Sequence, residues 1–188
     1  TQSNLFRKLN ESGKGLRVID LCASPGGKST QIAQAMAGKG ILFANEINKA
    51  RAEVLAGNIE RMGITNAVVT NENTDKLAER FEGYFDAVIA DAPCSGEGMF
   101  RKDSEAIAQW SVENVNACVE RQKTILENAY RMLRPGGILV YSTCTFEKEE
   151  NEERVSDLLE SHPDMELEDI SYIRDKAPGS GAGFDCCE

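Results

Sequence analysis

Two short stretches carry the residues best suited to chemistry. Ala90-Asp91-Ala92-Pro93-Cys94-Ser95-Gly96 follows an apolar run from Phe85 to Ala90, and Tyr141-Ser142-Thr143-Cys144-Thr145-Phe146 follows one from Ile138 to Tyr141. Each run reads as a buried strand, so each stretch sets a cysteine just past a strand's carboxyl end, where open α/β sheets hold ligands and reacting groups. A single cysteine there is better explained as a small buried hydrophobe. Two at equivalent positions, one of them beside an aspartate and a proline, point instead to working thiols, which as thiolates are strong nucleophiles and ready leaving groups.

The elements that must position them begin with Arg17-Val18-Ile19-Asp20-Leu21-Cys22, a short strand that runs into Ala23-Ser24-Pro25-Gly26-Gly27-Lys28-Ser29-Thr30 and a helix over Gln31 to Met36. Glycines at such a turn let a ligand approach the first amides of the helix, whose positive dipole end favours a carboxylate or phosphate. The loop matches neither the Walker spacing nor the dinucleotide fingerprint. A second strand, Gly40 to Glu46, ends in an acid, and in nucleoside-binding sheets an acid at that place accepts hydrogen bonds from both ribose hydroxyls. Glu46 is the candidate for that role.

Further along, the spacing of Ala52, Leu55, Ala56, Ile59 and Met62 predicts a helix over Asn48 to Met62, closed by Gly63. Ala67 to Thr70 is a third strand. Its exit, Asn71 to Asn73, suits either the edge of a nucleobase or a plain turn. A short helix over Asp75 to Phe81 and a fourth strand over Tyr84 to Ala90 follow. Beyond the first cysteine stretch, a loop from Glu97 to Asp103 carries Arg101 and Lys102, which would lie where a phosphate backbone passes. The longest helix spans Ser111 to Leu133 and stops at Pro135-Gly136-Gly137, before a fifth strand over Gly137 to Ser142. An acidic helix over Lys148 to Ser161 follows, its Glu147 to Glu153 run read as a solvated face, and Met165 to Ile170 could extend the sheet. Residues 1–16 read as a linker or edge segment, 17–175 as one catalytic domain, and 176–188 as a mobile tail.

These alternating units predict an α/β fold, a doubly wound, mostly parallel Rossmann-like sheet. The chain has 188 residues, 41% of them apolar, enough for one core. Its net charge of −10 counts against a free-standing nucleic-acid binder, although it leaves room for a local basic groove. Six cysteines without disulfide-framework or zinc spacing fit a reducing cytoplasm. No metal is expected, and no apolar run approaches the roughly 20 residues that span a bilayer. The single histidine, His162, has no catalytic or metal-ligating company.

A glycine turn and a ribose acid without a phosphate signature suit S-adenosylmethionine. A methyl donor beside two cysteines has a chemical rationale. Carbon 5 of a pyrimidine is a poor nucleophile until a thiolate adds to carbon 6 and creates an enamine. After methyl transfer a base removes the carbon-5 proton and the thiolate departs. One cysteine can be the nucleophile and the other can assist release.

The stretches Asp20 to Thr30, Asp91 to Asp103 and Tyr141 to Phe146 together resemble the motifs of the Sun/Fmu (NOL/NOP/Sun) RNA cytosine-C5 methyltransferases, over about Arg17 to Ile170. The Gly96 to Asp103 extension is most similar to the bacterial branch that acts on 16S ribosomal RNA. The resemblance implies a class I S-adenosylmethionine-dependent methyltransferase fold with RNA as partner and Cys144 as nucleophile. It implies Cys94 as the cysteine that releases product, Cys22, Ala23, Ser24, Pro25, Gly26, Gly27 and Lys28 as the cofactor loop, and Glu46 as the ribose acid. Asp91 would stand next to the donor methyl and the target base. The family places an aspartate at the end of the third strand; strand alignment puts Asn73 there, and an asparagine can still accept from the adenine amino group. The RNA-binding segment and PUA-like domain that flank the family's core have no counterpart in Thr1 to Gly15 or Lys176 to Glu188, which implies a catalytic core.

Two other classes are weighed against this. One is a non-catalytic, rRNA-binding assembly module that keeps the cofactor fold. The other, a methyltransferase of exocyclic amines, fits poorly, because Asp91-Ala92-Pro93-Cys94 lacks the Pro-Pro-aromatic element that holds an amine.

Overall fold

A computed structural model describes residues 15–101 and 104–169 of the 188-residue chain. The chain divides into two compact units. The larger runs up to Pro93 and includes Thr124–Ser142; the smaller holds Cys94–Lys123 and the chain from Thr143 onward.

The larger unit is built on a five-stranded parallel sheet in the order β3-β2-β1-β4-β5, with β1 at Arg17–Asp20, β2 at Ile41–Asn45, β3 at Ala67–Thr70, β4 at Phe85–Asp91 and β5 at Leu133–Ser142. Helices cover both faces, which is why the strands read as near-continuous apolar runs. On one face Ile19, Leu21, Val88 and Ala90 pack with Leu77 and Ala78 of α3 (Thr74–Arg80) and with Ile125, Ala129 and Met132 of α5 (Val112–Met132). On the other, Val18, Leu42, Ala87 and Ile89 pack with Ile32, Ala33 and Met36 of α1 (Gly27–Met36), while Ala44 meets Leu55 and Ile59 of α2 (Lys49–Arg61). Each fully buried Leu or Ile contributes about 1.5–3 kcal/mol. The doubly wound, Rossmann-like sheet expected from sequence is present.

Strand order reverses between β1 and β4, which makes the crevice outside their carboxyl ends the natural ligand site of this sheet. Asp86 ties β4 to both sides of the sheet base by pairing with Arg17 and Arg134.

The smaller unit contains the 3₁₀ turns Glu97–Met99 and Lys148–Glu150, the short helix α4 (Ser104–Gln109), the N-terminal part of α5 and the helix α6 (Glu152–Ser161).

Several expectations are corrected. The long helix ends at Met132, and β5 begins at Leu133, four residues earlier than Gly137, because Leu133 already pairs with Phe85 ahead of a register shift. The loop expected from Glu97 opens with a 3₁₀ turn, and α4 beyond it is too short a helix for its period to show. Met165 to Asp169 forms no strand, and Ile170 lies outside the described residues. The acidic run is not a uniformly solvated face: Glu150 is completely buried and Arg154 nearly so. The N-terminal segment up to Lys14, Lys102 and the tail from Lys176 lie outside the described residues.

Candidate active site

In the larger unit the loop after β1 is shaped by its last turn. Gly26 sits at φ +112°, a conformation that side chains rarely adopt, and it opens α1 without any side-chain cap. Open space surrounds the position where a Gly27 side chain would begin. The first amides of α1 are therefore available to an anionic group. From α2, Arg51 donates to the Ser24 carbonyl at 3.1 Å and Asn58 to the Pro25 carbonyl at 2.7 Å, while the Ser24 hydroxyl returns a bond to the Arg51 carbonyl. Ala23 is buried, and Cys22 is half-buried, its thiol pushed up to about 12 by burial and by Asp20.

Glu46 stands at the exit of β2 with its carboxylate buried. One oxygen accepts from the Asn48 amide at 2.9 Å and the other pairs with Arg51 at 3.2 Å, so Arg51 links the acid to the loop. Lys28 and Asp91 face one another across the switch point. Lys28 Nζ lies 2.6 Å from Asp91 Oδ2, and Ser142 Oγ donates to Asp91 Oδ1 at 2.7 Å. Asn73 is the cap of α3, its Oδ1 accepting from the Lys76 amide at 2.9 Å. Of the two readings of that asparagine turn, the capping role is seen directly, and a second lone pair on Oδ1 remains for another donor.

Two residues that sequence reasoning missed organise this platform. Asn45, almost fully buried, donates to the Leu21 and Glu72 carbonyls and accepts from Thr70 Oγ1 and the Glu72 amide, stitching the exits of β1, β2 and β3 together. Asp20 is buried, with Oδ2 accepting from Ser29 Oγ at 2.6 Å and Oδ1 lacking a well-formed hydrogen bond. Burial pushes its carboxyl up to about 6 against the pull of the Ser29 hydroxyl. A polar residue at the end of an otherwise apolar strand is the sequence signal for both.

An uncapped helix start, a buried acid at the second strand and an open glycine turn fit a ligand with an amino-acid carboxylate and a ribose, which S-adenosylmethionine has.

In the smaller unit Cys94 and Cys144 meet. Their sulfurs are 3.1 Å apart, and the Cys144 amide donates to Cys94 Sγ at 3.3 Å. Cys144 is exposed, whereas burial and the contact with Cys144 push the Cys94 thiol far above its ordinary range. The neighbours repeat the pairing: the hydroxyls of Ser95 and Thr145 are 2.9 Å apart. Gly98 donates its amide to the Cys144 carbonyl at 2.9 Å, an approach that a side chain would obstruct, since a Cβ there would stand 2.7 Å from that oxygen. Glu97 receives the Phe146 amide, and Thr143 donates to Asn151. Arg101 is exposed beyond the 3₁₀ turn. Among the described residues no three Cys, His, Asp or Glu side chains cluster as metal ligands, and no helix is long and apolar enough to cross a membrane.

A family model described as 16S rRNA methyltransferase RsmB/F matches residues 8–184. Ribosomal RNA small subunit methyltransferase F of Aeromonas salmonicida is 44% identical over 147 residues, 78% of this chain and 31% of that protein. The chain thus spans about a third of the length of the curated relatives it matches. The crystal structure of NSun6 from Pyrococcus horikoshii with SFG is 31% identical and superposes with a TM-score of 0.72, covering 89% of this chain and 42% of that one. An S-adenosylmethionine-dependent O-methyltransferase from Thermotoga maritima, 17% identical with a TM-score of 0.57 over 86% of this chain and 49% of its own, shares the fold.

Proposed function

The chain belongs to the 16S rRNA methyltransferase RsmB/F family, and from that premise we propose that it methylates carbon 5 of a cytosine in RNA, with 16S ribosomal RNA as the substrate. The observation that supports this reading best is the pair of sulfurs 3.1 Å apart, one exposed and one partly buried. A cofactor-binding module without turnover has no use for that arrangement.

S-adenosylmethionine supplies an electrophilic methyl group. On the side of the larger unit, the amides at the start of α1 and the loop Cys22 to Lys28 would hold its amino-acid end, and Glu46 would accept from the ribose hydroxyls. Asn73 would offer its remaining lone pair to the adenine amino group, and Asp91, fixed by Lys28 and Ser142, would orient the target base.

Cys144 is the nucleophile. Its thiol gives up its proton to a base and the sulfur forms a bond to carbon 6 of the cytosine, the ring electrons shift so that carbon 5 becomes nucleophilic, and carbon 5 takes the methyl group as S-adenosylhomocysteine leaves. A base then removes the carbon-5 proton, the carbon–sulfur bond breaks, and Cys144 leaves as thiolate. Cys94, which keeps its proton, sets an S–H within hydrogen-bonding distance of that sulfur and stabilises the departing charge. Arg101 and Lys102 supply charge for the RNA backbone. The protein works in the cytoplasm, where its substrate is assembled.

The test is methyl transfer from labelled S-adenosylmethionine to small-subunit ribosomal RNA or 30S particles, with digestion to nucleosides. Label in 5-methylcytidine, lost in Cys144→Ala, is expected. Transfer to a different atom, or unchanged transfer in Cys144→Ala, would contradict the assignment.

A further inference from the structure

Glu150 stands out among the charged side chains. It sits in a run of acids, yet it has no exposed surface, whereas Glu149 beside it is exposed. A carboxylate taken out of water costs several kcal/mol unless its lone pairs are met by donors. Here both oxygens receive the Ser95 amide, at 3.2 and 3.1 Å, and Oε2 also receives Gln122 Nε2 at 2.7 Å. Gln122 is itself fully buried and lies on the apolar face of α5, between Cys118 and Ile125. Two costly polar groups are therefore buried together where they hold the Ser95 backbone amide.

That amide belongs to the residue after Cys94. Ser95 also meets Thr145 through its hydroxyl, and Thr145 follows Cys144. The two dipeptides are thus joined at sulfur, at hydroxyl and by the Cys144 amide, and Glu150 anchors the Cys94 side of this junction from behind. Its influence on the sulfurs runs through Ser95.

Resting on the reading of Cys144 as nucleophile and Cys94 as release group, we propose that Glu150 is a positioning residue for product release, which fixes Cys94 against the Cys144 sulfur by holding the Ser95 amide and is itself oriented by Gln122. A displaced Cys94 leaves addition to carbon 6 and methyl transfer intact, and it slows the departure of Cys144. The signature is an accumulated enzyme–RNA adduct, which a simple loss of folding would not produce.

The experiment incubates the full chain with S-adenosylmethionine and 30S particles and resolves protein–RNA adducts on a denaturing gel. It compares the unaltered chain with Cys94→Ala, Glu150→Gln and the isosteric exchange Glu150→Gln/Gln122→Glu. Glu150→Gln replaces one of the two oxygens that accept the Ser95 amide by an NH2 donor, setting donor against donor; turnover should fall between about 10- and 100-fold, the range expected for an ångström-scale misplacement. A Cys144-dependent adduct should accumulate as it does in Cys94→Ala, with cofactor affinity unchanged. The exchange restores a donor facing an acceptor and should clear the adduct. Should Glu150→Gln lose its cooperative melt, Gln122→Met, which removes the donor that orients Glu150, carries the test: adduct supports the proposal and its absence overturns it. Full turnover without adduct in Glu150→Gln, or lost turnover without adduct, overturns the role of Glu150 while Cys94→Ala still traps RNA. Absence of adduct in Cys94→Ala itself overturns the two-cysteine reading on which the proposal rests.

Discussion

The sulfur of Cys94 lies 3.1 Å from that of Cys144 and accepts a hydrogen bond from the Cys144 amide at 3.3 Å. The two thiols differ in exposure. Burial, with the neighbouring sulfur, pushes the Cys94 thiol up, and Cys144 is exposed to solvent. The proposed division of roles rests on this difference and on their places in the sequence.

Glu46 is buried and bound to Asn48 and Arg51, which hold in place the carboxylate proposed to accept from the ribose hydroxyls. Glu46→Ala should weaken S-adenosylmethionine by about 1–3 kcal/mol, the usual loss for a hydrogen bond to a charged group. Titration calorimetry with the cofactor alone checks this. Unchanged affinity would place the ribose elsewhere.

Gly98 touches the backbone of Cys144, the proposed nucleophile. A methyl added there would stand 2.7 Å from the Cys144 carbonyl oxygen, too close for a backbone contact, so Gly98→Ala must shift the Cys144 turn. Methyl transfer should fall between about 10- and 100-fold, the range for a small misplacement of a reacting group. Cofactor affinity, a property of the larger unit, should be unaltered when measured on the same preparation.

Asp20 gives a pH dependence of stability. Its carboxyl has a value of about 6 in the folded chain against 3.8 ordinarily, with burial the main cause. The folded state therefore binds more protons between those values, and the stability contributed by this group declines as pH rises from about 4 to about 6. Well above pH 6 the penalty is complete. Asp20→Asn, which can still accept from Ser29, should be more stable than the unaltered chain at pH 8 by on the order of 1–3 kcal/mol. The gap should close near pH 4. Urea unfolding at both values measures it, and a gap independent of pH would show that Asp20 carries no such penalty.

Much of the larger unit is legible in the sequence because its strands are buried on both faces and so appear as apolar runs. Ala67 to Thr70 matches its expected strand to the residue, and the glycine turn before α1 is where expected. Both cysteines stand out by their places at strand ends, and they meet as paired thiols. What is not legible depends on long-range partners. Leu133 to Gly137 looks like the end of a helix and a terminator, but pairing of Leu133 with Phe85 begins the strand there. Glu150 looks like one more solvated acid, and nothing local marks it. The available signal is at a distance: Gln122 interrupts the apolar stripe of α5, and a buried amide requires a partner. Asn73 reads equally as a turn residue and as a ligand contact, and its bond to Lys76 shows the first directly.

The central claim is that Cys144 bonds to the base and Cys94 lets it go. The most direct measurement is a denaturing gel of Cys94→Ala incubated with radiolabelled S-adenosylmethionine and 30S particles, beside the double variant that also carries Cys144→Ala. The account predicts a labelled protein–RNA band in the single variant that is absent from the double variant. A band that persists without Cys144, or free methylated RNA released from Cys94→Ala at the rate of the unaltered chain, would contradict it.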